Sequence, residues 1–485
     1  MRYFTVKVNS TYEKEIMKNV NRDKHRVTRR DFLTTSLAMA GSLSLFSPTA
    51  GGVTLSGADA KPNILMIMTD QQTASAMSCA GNAYLRTPAL DGLAARGVRF
   101  DNAYVTQPLC MPCRSSLQTG RYPHEIGVLC NGMDIKGEFP MLGNLMTEAG
   151  YTNAYLGKWH VGTSFKSAGY TGEATDFRQD DKKTKAAISF LRRGHKTPFF
   201  LTVSFMNPHN VCQLARGEQL PDGPIGKATE DLDALPPMPA NFAIPSHEPP
   251  VLREVQKKLP EIYPTQDWGE LQWRQYLWGY YRLVEKVDAE IGRVLEALQT
   301  SSYAENTMVL FVSDHGEGIA AHHWNQKQAL YDPCVKVPLL IAGPGIAGQQ
   351  VCAELVSTGL DIPVTLLKLA GGSAPSSMRG RSLYALASKK AATLDRLYVV
   401  AETMFARGDE YKDPRGRMLR TDRYKYCVYE RGDQREQLFD MHSDPGETTN
   451  LAVKSDYQDT LNRHRQILAQ WAVATSDTDF PYVAV

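Results

Sequence analysis

Four stretches of this sequence share one form, and that form leaves few folds open. Residues 63–70, 151–160, 199–209 and 308–315 are continuous apolar runs of strand length that end in polar side chains. A strand covered on both faces reads this way, because neither face has to meet water. Between the runs lie helical patterns at 88–96, at 142–149 with Gly150 behind it, and at 182–192. Strand and helix alternate, which predicts an α/β fold: a mostly parallel central sheet with helices on both faces. Such sheets bind ligands outside the carboxyl ends of their strands. Asp70, Lys158, His160, His209, Asp314 and His315 are therefore expected on one rim.

The 485 residues allow one large domain and a smaller one, and a net charge of +2 argues against a nucleic-acid partner held by bulk charge. The eight cysteines show no dense framework spacing and read mostly as small core residues. Near the start, Thr28-Arg29-Arg30-Asp31-Phe32-Leu33 precedes an apolar run over 32–46 that is broken by Ser, Thr and Gly. This resembles a twin-arginine export signal. The run falls short of the roughly 20 residues a membrane-spanning helix needs, and Ala58-Asp59-Ala60 offers a cleavage site. Residues 1–60 are thus expected to be a signal segment read by the twin-arginine export machinery, giving a periplasmic or secreted protein. That route moves folded proteins, so any modification of the chain has to precede export.

Residues 61–390 are expected to form the catalytic domain, with a proline-rich insert over 213–268 that shapes the substrate pocket as a lid. A long amphipathic helix follows, carrying Leu277, Tyr281, Val284, Ile291, Val294, Leu295 and Leu298 at helical spacing. Asp361-Ile362-Pro363 is expected to begin another helix. Beyond about residue 391 the pattern changes to period two, which predicts a small C-terminal antiparallel sheet with one helix over 391–485.

The chemistry centres on residues 108–121. Pro112, two residues after Cys110, suits the first turn of a helix, and Gly120 suits its end. Cys110 then sits at a helix N-terminus, where unpaired N–H groups favour an anion, with Arg114 one turn on. Cys110 and Cys113 also spell Cys-x-x-Cys, so a thiol redox pair, half a zinc site and an inert buried pair stand beside the nucleophile turn. Asp70 and Asp314 are hard oxygen ligands, and with Gln71 and His315 they make a candidate site for one divalent cation. Such a donor set favours Ca²⁺ or Mg²⁺ and leaves Mn²⁺ open. Each aspartate taken alone reads equally well as a helix cap.

Cys110-x-Pro112-x-Arg114 followed by Leu117-x-Thr119-Gly120-Arg121 resembles the signature of the type I sulfatases of the alkaline-phosphatase-like superfamily, in which the cysteine is oxidised to formylglycine. The family pattern continues through Gly157-Lys158-Trp159-His160-x-Gly162, Pro208-His209, Ser313-Asp314-x-Gly316 and Lys327 ahead of Tyr331-Asp332. The segments 420–426 and 444–451 complete a resemblance that spans about residues 61–451. It implies hydrolysis of a sulfate ester, preferentially on a carbohydrate, after a maturation enzyme has made formylglycine from Cys110. The hydrated aldehyde attacks sulfur with one hydroxyl, and Arg114 stabilises its alkoxide. Lys158 and Lys327 clamp the sulfate, and His209 protonates the leaving alcohol. His160 takes the proton of the second hydroxyl, so that sulfate leaves and the aldehyde re-forms. Asn131 and His323 are substrate-side candidates.

Two positions depart from the common pattern. Cys113 stands where most members have serine, and Asp70-Gln71 stands where many have two aspartates. With Asp314-His315, the second departure also resembles the choline sulfatase and phosphonate monoester hydrolase branch. A phosphonate monoester or phosphodiester hydrolase using the same nucleophile is the alternative activity. An inactive sulfate-glycan binding protein and a Cys110–Cys113 redox protein are the alternatives of other classes.

Overall fold

The first strand shows how one run of side chains serves two cores. In β1 (Asn63–Asp70) every residue is buried. Ile64, Met66 and Met68 face a cluster that includes Leu117, Leu142, Met146 and Ile362, while Leu65 and Ile67 face another with Leu90, Ala187, Val287 and Ile291. A computed structural model describes residues 61–172, 178–405 and 414–483 of the chain. The signal segment expected over residues 1–60 lies outside the described residues.

The other strands of the central sheet are β2 (Gly97–Phe100), β3 (Thr152–Gly157), β4 (Phe199–Pro208), β5 (Thr307–Ser313), β6 (Leu339–Ala342) and β7 (Gln350–Cys352). Their spatial order is β3-β4-β1-β5-β6-β2-β7. Only β6 runs against its neighbours; the remaining pairings are parallel. The main helices are α1 (Pro88–Ala95), α2 (Cys110–Thr119), α3 (Leu142–Glu148), α4 (Asp180–Leu191), α5 (Pro250–Lys258), α6 (Glu270–Gln299), α7 (Thr358–Leu369) and α8 (Gln458–Thr475). Residues of α2, α3 and α7 cover the Ile64 face, and residues of α1, α4 and α6 cover the Leu65 face. This is the doubly covered, mostly parallel sheet that the apolar runs predict.

The period-two segment forms a separate antiparallel sheet of β8 (Tyr398–Met404), β9 (Arg415–Thr421), β10 (Tyr424–Tyr429) and β11 (Glu436–Asp440) in that order. Alternation divides its faces. Val399, Ala401, Met418 and Cys427 join the main core, whereas Val400, Leu419, Tyr426 and Val428 pack on Leu461, Leu468 and Trp471 of α8.

Two elements differ from expectation. Helix α7 starts at Thr358, so Pro363 lies inside it and does not open it. The buried Asp361 carboxylate takes the N–H of Ser357 at 2.8 Å and pairs with Arg396, which secures the earlier start. The proline-rich stretch 213–268 contains α5, whose first residue is Pro250. Val251, Leu252 and Val255 of α5 are buried in the main core. Proline there starts a helix at the position where its missing N–H costs nothing.

Candidate active site

Strand register assembles the rim. Thr69 of β1 pairs with Ser313 of β5, so Asp70 and Asp314 emerge side by side, and Asp70 is also in register with Pro208 at the end of β4. Lys158 follows β3 immediately after Gly157. That glycine has φ +104°, and a Cβ on it would lie 2.1 Å from the Ser204 carbonyl oxygen, so no side chain fits where β3 turns toward the rim. Opposite, extended Leu109 leads into α2 with Cys110 as its first residue, and Gly120 in the left-handed region closes it. Asn131 supports this start from another loop, its Oδ1 accepting the Met111 N–H at 3.1 Å.

The groups then converge on one sulfur. Cys110 Sγ lies 3.1 Å from His315 Nε2, 3.3 Å from Lys327 Nζ, 3.7 Å from Lys158 Nζ and 3.9 Å from Asp70 Oδ1. His160 favours the ionised form of this thiol, and the thiol in turn favours charge on His209; His160 Nδ1 is buried without a hydrogen-bond partner. Arg114 is buried behind the carboxylates. Its Nη2 donates to Asp70 Oδ2 at 2.9 Å, its Nε to Asp314 Oδ2 at 2.7 Å, and its Nη1 to the Lys158 carbonyl at 2.7 Å and Ser204 Oγ at 2.8 Å. Its hydrogen bonds align the two aspartates, and its charge also acts on Cys110, the side chain whose alkoxide form the resemblance has it stabilise.

Each aspartate is thereby divided in function. The Oδ2 atoms are held by Arg114, with Lys158 also 2.8 Å from Asp70 Oδ2. The Oδ1 atoms face inward toward His315 Nε2, at 3.8 Å from Asp70 and 3.6 Å from Asp314. Ligand atoms of Asp70, Cys110, Asp314 and His315 all lie within 4.8 Å of one another, and all four residues are buried. Two carboxylate oxygens and an imidazole turned toward a common centre fit a single divalent cation of the oxygen-preferring kind. Gln71, the fourth residue of the expected set, takes Lys327 Nζ on its Oε1 at 2.9 Å.

The electrostatics favour negative charge on residue 110. Burial opposes ionisation of the Cys110 thiol, but Lys158, Lys327 and His315 hold it well below its ordinary value. Burial and the nearby Asp314 instead push Cys113 well above the usual thiol range, and it packs with Leu117 in the main core. That placement suits neither a redox partner nor a zinc ligand. Asp70 is kept well below the carboxylate range by Lys158, His209 and Arg114 against its own burial, whereas burial and Asp70 raise Asp314. Burial, then Lys327 and Lys158, bring His209 down to about 4.

The substrate-side candidates have other contacts. The side-chain oxygen of Asn131 is spent on α2. His323 packs its ring on Phe242 at 4.6 Å and Trp273 at 5.3 Å, and its Nε2 is buried without a partner. The loop bearing His323 and Lys327 is contorted. Ile319, Ala320, His322, His323, Gln326 and Gln328 have positive φ between +41° and +75°, conformations that non-glycine residues adopt at some cost and that cluster at functional sites.

Sequence reasoning missed the layer behind the rim. Glu317, Gln326, Cys212 and Tyr276 are buried there around Gln71. Glu317 stands only two residues past His315, so its proximity was available; that it turns inward was not.

Comparison with known proteins agrees with this geometry. The sulfatase family model matches residues 62–373, and the model for the C-terminal part of N-sulphoglucosamine sulphohydrolase matches residues 320–473. The chain is 32% identical over 456 residues to a Delta 4,5-hexuronate-2-O-sulfatase of Bacteroides thetaiotaomicron, covering 88% of this chain and 92% of the relative. The solved structure of a 2-O GAG sulfatase superposes with TM-score 0.77 at 31% identity, covering 88% and 95% of the two chains. The phosphonate monoester hydrolase of Agrobacterium radiobacter superposes with TM-score 0.68 at 21% identity over 85% and 96%, a likeness of fold alone. The sulfatase model covers well over half of the chain, and the hexuronate sulfatase is alike over nearly its whole length: the chain belongs to the sulfatase family and is a sulfuric ester hydrolase.

Proposed function

We propose that this sulfatase removes sulfate from a carbohydrate, with formylglycine made from Cys110 and one divalent cation, Ca²⁺ in the first instance. The observation that carries the reading is the convergence of Lys327, Lys158 and His315 on the Cys110 side chain, at 3.3, 3.7 and 3.1 Å. A sulfate monoester is anionic and develops further charge on its leaving oxygen, so it requires cations at the reacting centre and a proton donor beside it. When present, formylglycine supplies a hydrated aldehyde as nucleophile, and the cation compensates charge on the sulfate oxygens.

The remaining work falls to side chains. Lys158 and Lys327 flank residue 110 and hold the sulfate. His209 delivers the proton to the leaving alcohol, and His160, with a free buried Nδ1, takes the proton of the remaining hydroxyl as sulfate departs. Arg114 keeps both aspartates in place throughout. Because the hexuronate 2-O-sulfatase relative is alike over nearly its whole length, an unsaturated hexuronate bearing a 2-O-sulfate is the first substrate to test. Arg29-Arg30 and the short apolar run behind them support export through the twin-arginine route to the periplasm or beyond, after maturation.

The test is sulfate release by protein co-produced with a formylglycine-generating enzyme. The 2-O-sulfated hexuronate, an aryl sulfate and an aryl phosphonate are compared. Sulfate release with little phosphonate cleavage is expected; the reverse order would establish the phosphonate alternative. Mass of the tryptic peptide ending at Arg114 should show the aldehyde form, and an unmodified thiol in active enzyme overturns the mechanism. Co-produced protein that keeps the unmodified thiol, turns over no sulfate ester and still binds a sulfated glycan would instead be the inactive sulfate-glycan binder.

A further inference from the structure

Behind the rim lies a buried carboxyl group on which Lys327 acts only from beyond ion-pair distance. Glu317 is fully buried, and among the described residues no lysine, arginine or histidine forms an ion pair with it. Its three hydrogen bonds come from neutral donors. Tyr276 OH reaches Oε1 at 2.6 Å, the Gln326 N–H reaches Oε1 at 2.5 Å, and Gln71 Nε2 reaches Oε2 at 2.6 Å. A carboxylate in this setting is costly to bury.

Gln71 stands between this carboxylate and an ammonium. Its Oε1 accepts from Lys327 Nζ at 2.9 Å, and Cys212 Sγ lies 3.5 Å from the same oxygen. Its backbone is fixed as well: φ is +70°, its N–H donates to Asp314 Oδ1 at 3.2 Å, and its carbonyl accepts from Tyr280 OH at 2.9 Å. A carboxamide has an acceptor end and a donor end of nearly the same shape. Turned over, Gln71 would set its NH₂ against the Lys327 ammonium and its oxygen against the Glu317 carboxylate. Donor would face donor and acceptor would face acceptor, so one orientation survives.

We propose that Glu317 is a positioning residue that acts through Gln71, locking the carboxamide with its oxygen toward Lys327, whose ammonium lies 3.3 Å from Cys110 Sγ beside the cation site. This also accounts for glutamine at a position where two aspartates are common, since a second carboxyl group would meet Glu317 at hydrogen-bond distance and one of the two would have to carry a proton there, whereas the amide brings its own donor. The negative charge has moved one layer back, and Gln71 relays it to the rim.

The proposal rests on the sulfatase reading for its kinetic arm only; its binding arm is the midpoint for Ca²⁺-induced thermal stabilisation, which needs no turnover. Glu317→Gln should weaken that midpoint by about 10–100-fold, the usual effect of removing an outer partner of a metal ligand, and should lower kcat with little change in KM. Gln71→Glu alone should be at least as impaired. The transposed pair Gln71→Glu with Glu317→Gln restores one carboxylate, one amide and a single permitted orientation, and should recover most of both losses. A Glu317→Gln protein unchanged in midpoint and kcat overturns the proposal, as does a double variant no better than the worse single variant. If Glu317→Gln does not fold, Tyr276→Phe carries the test by removing one donor and keeping the charge: a lowered kcat at unchanged KM supports the role, and unchanged kcat overturns it. Wild type that turns over no sulfate ester but shows the coupled Ca²⁺ midpoints refutes the function and leaves this proposal standing.

Discussion

His209 is held neutral at physiological pH first by its burial and then by the two lysines beside Cys110. Burial, Lys327 and Lys158 bring it down to about 4, which suits a resting site crowded with positive charge. In the proposed mechanism an incoming anion between the two lysines would offset that charge and make protonation of His209 easier, so that the substrate would arm the acid. Its proton matters most when the leaving group is poor. His209→Asn is expected to lower kcat on a sugar sulfate by about 10²–10⁴-fold, and far less on an aryl sulfate whose phenolate leaves unaided. Parallel kinetics on the two substrates check this; equal losses would remove His209 from the acid role. Residue 110 is the matching case for the proposed nucleophile, because the rim favours negative charge on the Cys110 side chain.

At the scale of elements, the proline-rich insert is the brace of the Lys327 loop. Arg253 of α5 donates to the carbonyl of His322 at 2.6 Å and of His323 at 3.4 Å while paired to Glu248 at 2.7 Å. The His322 N–H donates to the Asn241 carbonyl at 2.7 Å, Thr265 Oγ1 bonds Asn325 at 3.1 Å, and Tyr263 OH bonds Gln328 at 3.0 Å. These bonds over-determine a backbone held at repeated positive φ, which is how strain persists at a functional site. Arg253→Ala should therefore cost about 1–3 kcal/mol and lower kcat although Arg253 does not touch Cys110. Urea melts and steady-state kinetics check both effects. A stable variant with full activity would return the insert to the role of a lid alone.

Across the molecule, the small antiparallel sheet is tied to the nucleophile region by charge. Lys425 of β10, fully buried, meets Asp332 and Glu447 at 2.7 Å each, which joins the 420–426 and 444–451 segments to the loop after Lys327. His124, just beyond α2, meets Glu402 of β8 at 2.6 Å and the Thr475 carbonyl at the end of α8 at 3.1 Å. Burial opposes its charge, but Glu402 raises it to about 9. The folded value lies above the unfolded one, so this pair is fully stabilising below about pH 6.5 and is lost as pH rises toward 9. His124→Gln should cost on the order of 2 kcal/mol at pH 6 and flatten the fall in stability between pH 6.5 and 9. Denaturant melts at the two pH values measure the difference between variant and wild type. The same slope in both proteins would show that the pair carries no charge.

The sequence by itself determined the strands, the rim and the nucleophile turn, because each is written locally. An apolar run ends at a carboxylate, a proline starts a helix, a glycine closes it, and the chain order of Asp70, Lys158, His209 and Asp314 follows from strands that share a direction. Only the tertiary structure decided what each rim residue faces. Arg114 was legible as a cation one turn from Cys110, yet register between β1 and β5 turns it onto two aspartates. Gln71 was legible as a departure from a pattern, yet its partner Glu317 is a neighbour only through the fold. Helix α5 was hidden in proline-rich sequence because its stability comes from Val251, Leu252 and Val255 in a core assembled from distant segments. Local sequence specifies local conformation and polarity; the direction of a buried side chain is set by the groups packed around it, and those are brought together only by folding.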